Sequence, residues 1–145
     1  MNLRTSIGIL LLLLVCGIGN SQIVEIPYKN WPNYSCLNSH IPEKFVINSK
    51  EGLDKIGHCN LSNFDIDKHT IIGIYGFSLG DIKPIVSYRI IKNTDLKIYN
   101  IDASVYCGHF TYLRINHTYY RKVVFTDKLD PEYEIDFNVQ IIYDK

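Results

Sequence analysis

Alanine is almost missing from this chain: of 145 residues, only Ala103 is one. Alanine is the strongest intrinsic helix former, so its scarcity argues against a helical bundle. Charge of one sign is missing as well, because 15 basic and 15 acidic residues cancel. The charges are interspersed, without blocks or a tail. They form no basic field for nucleic acid or anionic lipid, so neither is expected as a partner. No apolar run approaches the ~20 residues a membrane span needs. There is no G-x-S-x-G, no phosphate-binding glycine loop, no EF-hand loop and no H-E-x-x-H. The familiar sequence marks of serine hydrolases, nucleotide enzymes, calcium sites and zinc proteases are therefore absent, and no cofactor is expected.

What is present first is a leader. Met1–Ser6 carries one positive side chain, Arg4, and Ile7–Ile18 is uncharged with Cys16 as its one polar member. Gly19-Asn20-Ser21 then places small residues at the −3 and −1 positions of a cut between Ser21 and Gln22. This is the layout of a cleaved secretory signal, and the chain is expected to be periplasmic or secreted. A lipid anchor on Cys16 is the rival reading, set second because Val15 is bulky where a lipobox wants a small residue. Cleavage takes one of the 15 basic residues and none of the 15 acidic ones, leaving a net charge of −1 and no span. Residues 1–21 are thus read as signal, 22–44 as a lead-in and 45–145 as a single domain, a length that supports a real core.

Eleven tyrosines and many isoleucines suit half-buried pleated surfaces. In Leu96–Cys107, the set Tyr99, Ile101, Ala103, Val105 and Cys107 alternates with Asn100, Asp102, Ser104 and Tyr106. In the last strand, Tyr133, Ile135, Phe137, Val139, Ile141 and Tyr143 alternate with Glu134, Asp136, Asn138 and Gln140. Period-two alternation means one dry and one wet face. Further strands are expected at Ile23–Ile26, Lys44–Asn48, Thr70–Ser78, Pro84–Lys92, Phe110–Ile115 and Tyr119–Phe125. Turns are expected at Asn93-Thr94-Asp95 and Asn116-His117-Thr118, and a loop over Asp127–Pro131. Gly73 and Gly76 within a strand suggest a bulge or a closely passing backbone. One helix is expected, over 50–57, with Ser49 as N-cap, Glu51 in its first turn, Leu53 and Ile56 on one face and Gly57 at its end. The fold class is α+β: a predominantly antiparallel sheet with one short helix packed on its dry face. Trp31, between Asn30 and Pro32, is expected to tuck into the core, with ligand stacking as the alternative.

Three cysteines outlast cleavage, and an oxidising compartment favours a disulfide. An odd count leaves one free or paired between chains. Cys59–Cys107 is the preferred bridge, because Cys107 lies on a dry face and Cys59 follows the helix that is expected to cover it. Cys36 is the alternative partner or the free thiol. A bridge closing the 59–107 loop would add about 4 kcal/mol on the chain-entropy view. His58, Cys59, Cys107 and His109 could make a two-His, two-Cys zinc site, but export favours the disulfide, so no metal is expected. Asp65 and Asp67 share a face if extended and are read as a solvated strand start rather than a catalytic pair. Asn33, Asn60 and Asn116 open glycosylation sequons, which act only in a eukaryotic host.

Phe45-Val46-Ile47-Asn48-Ser49-Lys50-Glu51-Gly52-Leu53 resembles a "v-I-x-S-x-E-e-l" opening, and Phe64-Asp65-Ile66-Asp67-Lys68-His69-Thr70-Ile71-Ile72-Gly73 resembles "iDF-x-k-x-x-l-i-g". Both, in this order, are similar to small exported proteins of Bacteroidetes-like bacteria and, at a distance, to the C-terminal domain of the protease-complex subunit PrcB. Ile66-Asp67 stands where that pattern has Asp-Phe, and the glycine-rich turn is reduced to Ser78-Leu79-Gly80-Asp81. The resemblance spans 45–143, implies an α+β domain, and transfers no catalytic residue. The expected function is an exported, non-enzymatic binding or accessory module with a protein or peptide partner, the Tyr-rich strand faces serving as contact surface. The alternative is a small extracytoplasmic hydrolase with an unfamiliar site.

Overall fold

The structure, a computed structural model, describes residues 22–31, 43–56, 64–79, 82–109 and 117–144. Its strands are β1 (Ile23–Glu25), β2 (Tyr28–Asn30), β3 (Lys44–Ile47), β4 (His69–Leu79), β5 (Ile85–Asn93), β6 (Ile98–His109), β7 (His117–Asp127) and β8 (Glu134–Asp144). One helix, α1 (Lys50–Ile56), separates β3 from β4. The strands form two four-stranded sheets, ordered β1-β5-β6-β8 and β2-β7-β4-β3. Every pairing is antiparallel except β6 with β8, which is parallel. The expected class holds: α+β, mostly antiparallel, with one short helix on one face.

The two sheets share a core. Ile72, Ile74, Tyr120 and Val124 from the second sheet pack with Tyr88, Ile90, Tyr99, Ile101, Ala103, Val105, Cys107 and Phe137 from the first. The alternation in β6 therefore has the meaning read from sequence, since Tyr99, Ile101, Ala103, Val105 and Cys107 are all buried. What covers them differs from expectation: it is the second sheet, not the helix. Helix α1 lies on the opposite, outer face of that second sheet. There Leu53 packs with Trp31, Phe45, Ile47, Ile66, Ile71 and Val123. The reason is local. The helix links β3 to β4, which are neighbours in one sheet, so it stays over the face between them.

Short-range chemistry fixes the elements. Ser49 caps α1, its Oγ accepting from Gly52 N at 3.2 Å. Glu51 and Lys55 pair across one turn at 2.9 Å, a solvent-exposed contact worth about 0.3–0.5 kcal/mol. Between β5 and β6, Asn93 Oδ1 accepts from the amides of Asp95 and Leu96 at 3.1 and 3.0 Å. This side-chain turn lets Lys97 take a positive φ of 52°. Ile26 and Pro27 carry the chain from one sheet to the other: Ile26 N donates to Ile90 O, and Thr126 Oγ1 donates to Pro27 O, both at 2.8 Å.

Gly73 and Gly76 mark neither a bulge nor a passing backbone. Strand β4 runs in unbroken register with β7 from His69 to Leu79. The space above each glycine is filled by an aromatic ring, Phe45 over Gly73 and Tyr120 over Gly76. Expected strand ends shift by one or two residues elsewhere, and His117 and Thr118 belong to β7 rather than to a turn. The expected strand at Phe110–Ile115, Asn116, Gly57 and the leader lie outside the described residues, as does the Ile56 side chain.

Strand β8 departs most from its sequence pattern. Phe137 is 8 % exposed, but Val139 and Ile141, continuing the same face, are 38 % and 43 % exposed. Among the described residues this strand is the last in its sheet, with β6 as its one neighbour. Cover from the second sheet holds Phe137, whose carbonyl accepts from Lys44 Nζ on β3 and whose ring lies 5.8 Å from that ammonium, and returns at Tyr143, whose hydroxyl accepts from Leu79 N on β4 at 3.5 Å. Between those two points, at Val139 and Ile141, the inner face of β8 is exposed.

Candidate functional site

Three strands of the first sheet carry a shallow cleft of about 470 Å³ on its outer face. Side chains alternate across a strand, so the residues opposite the buried series point there. Ser87 and Arg89 come from β5, Asp102 and Ser104 from β6, and Asn138 and Gln140 from β8. Register arranges them in two rows. Arg89 stands opposite Asp102, which stands beside Asn138; Ser87 stands opposite Ser104, which stands beside Gln140. The intervening residues Tyr88, Ala103 and Val139 form the floor. Tyr88 is anchored beneath, its hydroxyl donating to Lys122 O at 2.8 Å, and burial pushes that hydroxyl well above a tyrosine's ordinary pKa.

The cleft side chains are largely uncommitted. Asn138 Nδ2 donates to Asp136 Oδ2 at 3.2 Å. Among the described residues, no side-chain hydrogen bond or ion pair engages Ser87, Arg89, Asp102, Ser104 or Gln140. Arg89 and Asp102 face each other across neighbouring strands without closing an ion pair. Tyr106, 46 % exposed, lies one row beyond Ser104 on the same face, opposite Ile85.

The residues singled out from sequence fall elsewhere. Cys107 is fully buried in the inter-sheet core, its Sγ donating to Val105 O at 3.7 Å, and no disulfide partner stands beside it among the described residues. Cys36 and Cys59 lie outside the described residues. The ground for preferring Cys59–Cys107 was a helix covering the face of Cys107, whereas α1 belongs to the other cluster. His40 and His58 also lie outside, and His109 is exposed. Among the described residues, no group of three His, Cys, Asp or Glu side chains could hold a metal ion.

Asp65 and Asp67 do not share a strand face. They bracket a turn before β4, with Asp67 N donating to Asp65 Oδ1 at 3.1 Å. Lys68 lies 2.9 Å from Asp65 and holds that carboxyl below its usual range by hydrogen bonding and charge. Trp31 is 5 % exposed and stacks on Phe64 at 4.8 Å between ring centroids, so it is a core residue as expected. His69 extends this aromatic group, packing at 5.5 Å from both Phe64 and Phe125, with Nδ1 3.9 Å from Asp127 Oδ1.

The sequence assigned Asp102, Ser104, Asn138 and Gln140 to wet faces but did not join them. The alternation was the signal for each strand. The missing information was the parallel pairing that sets β8 beside β6, since a local pattern does not name its partner. No helix among the described residues is long and apolar enough to cross a membrane. Comparison with protein-family models, curated proteins and solved structures finds no match for the chain.

Proposed function

We propose that this chain is an exported binding module, without catalysis of its own, that engages a protein or peptide partner along β8. The supporting observation is the exposed apolar stretch at Val139 and Ile141 of that strand. Val139 and Ile141 continue the apolar series of Ile135 and Phe137, yet each is more than a third exposed. An edge strand presents main-chain groups to an added strand, and exposed alternate side chains give such a partner its specificity. Apolar surface left on an edge is normally covered or charged, so its retention points to use. The preferred setting is the periplasm or cell exterior, reached through the leader at 1–21.

The test is a photo-crosslinking residue at Ile141, with one at Lys29 on the far edge of the other sheet as control, in protein exposed to the source organism's envelope fraction. The expected result is a discrete adduct at Ile141 that is lost when Val139 is also changed to Lys. Equal labelling from both positions would overturn the reading.

A further inference from the structure

We infer that the cleft on the outer face of the first sheet binds a neutral oligosaccharide. The inference does not rest on the β8 reading, since it uses the face of the sheet rather than its edge. Strand β6 is paired along both sides, so its main-chain groups are spent in the ladder. Recognition on this face must come from side chains, whereas an extended peptide draws its main-chain hydrogen bonds from an edge.

The side chains present both hydrogen-bonding senses over a short distance. Arg89 only donates, Asp102 only accepts, and Asn138, Gln140, Ser87 and Ser104 do both. A sugar hydroxyl is itself donor and acceptor, and neighbouring hydroxyls on a ring can meet a carboxylate and a guanidinium at once. The cross-strand spacing is roughly 4.8 Å, so the three-strand row spans about 10 Å, the scale of a disaccharide. Arg89 and Asp102 would ordinarily attract each other across the strands. With no ion pair closed between them, both are available to a ligand.

Charge selects among ligand classes. Arg89 and Asp102 cancel within the cleft, and Glu25, Asp136 and Glu134 border it on the same face. A phosphate or polyanion would meet one cation among carboxylates, which disfavours it. Tyr106 and Ile85 supply an apolar platform at the end of the strip, fitted to the C–H face of a sugar ring. The strands are held from below by the core, so the arrangement is organised before binding, as small-ligand sites usually are.

The experiment is titration of the isotopically labelled exported protein with cellotetraose, maltotetraose and chitotetraose, followed by amide NMR and calorimetry. At least one of these should shift amides confined to 87–89, 102–106 and 138–140. R89A and D102N should each weaken that binding about tenfold, the loss expected when a charge-assisted hydrogen bond goes. The exposed control E132Q should bind as the parent does. Unchanged circular dichroism establishes that the variants fold, and the shift map on the unaltered protein stands without them. No binding of any of the three sugars overturns the inference. So do shifts that lie along 139–143 alone, variants that bind like the parent, or stronger binding of a heparin fragment than of the neutral sugars.

Discussion

The two sheets bury their inner faces alike and treat their outer faces in opposite ways. On the sheet β2-β7-β4-β3, the outer face carries Phe45, Ile47, Ile71 and Val123, and α1, Trp31 and Ile66 lie over it. On the sheet β1-β5-β6-β8, the outer face carries Ser87, Arg89, Asp102, Ser104, Asn138 and Gln140 around an open cleft. The first pattern is that of a middle layer, dry on both sides. It explains why Thr70-Ile71-Ile72-Gly73-Ile74 in β4 is continuous and apolar, whereas β6 alternates. Among the described residues, two layers, a sheet and its α1 cover, lie on one side of the inter-sheet core and one sheet lies on the other. The polar cleft lies on the side that no other described element covers.

The largest effects should come from the covered face. Phe45 is buried at a sheet edge with its ring over Gly73. Phe45→Ala is expected to cost about 3–5 kcal/mol in chemical denaturation, the range for a buried aromatic. A loss below ~1 kcal/mol would mean that the helix does not seal this face. Leu53→Ala should cost about 2 kcal/mol, at the low end for a buried leucine, because a seven-residue helix can settle toward the space. Both variants should leave sugar titrations unchanged, since neither residue reaches the cleft face.

Smaller effects test how the cover is made. A Cβ at Gly73 would collide with the Phe45 ring. Gly73→Ala should therefore cost about 1–3 kcal/mol through overpacking, and that cost should shrink in a Phe45→Leu background if the ring is what the methyl meets. A double-mutant cycle with no coupling would show that the glycine serves another purpose. Ser49→Ala, which removes the cap of α1, should cost about 1 kcal/mol.

Legibility in the sequence followed the range of the forces involved. The faces of β6, the Ser49 cap, the Asn93 turn and the burial of Trp31 depend on residues within a few positions and are readable, whereas the dry face expected along β8 fails at Val139 and Ile141, which the distant second sheet leaves exposed. The helix falls where its sequence signals put it along the chain but on a different face, because a single-sheet pattern offers it only one face and the molecule has two sheets. The mark of two sheets is that Ile71 and Ile72, adjacent residues, are both fully buried on opposite sides of β4. The apolar run there held that information, and it was read as one strand with two glycines. The pairing of β8 with β6 joins residues more than thirty positions apart and depends on β7 crossing to the other sheet between them. Nothing in either strand alone names that neighbour, so the cleft stayed hidden.

The smallest effect sharpens the comparison most. Asn138 lies on the open face, its one side-chain hydrogen bond an exposed contact to Asp136. Asn138→Ala should change stability by under ~0.5 kcal/mol, since water replaces that bond at little cost. Its neighbour along the chain, Phe137, points into the core, and Phe137→Ala should cost about 3–5 kcal/mol. One step along β8 thus separates a structural position from one free to vary, and a one-residue slip in register would exchange them. If Asn138→Ala costs as much as Phe137→Ala, the open face is covered in solution, and a second copy of the chain is the first occupant to test by sedimentation. If Asn138→Ala is neutral for stability but weakens a sugar titration, the residue is kept for binding rather than for folding. The two outer faces then differ in purpose as well as in polarity.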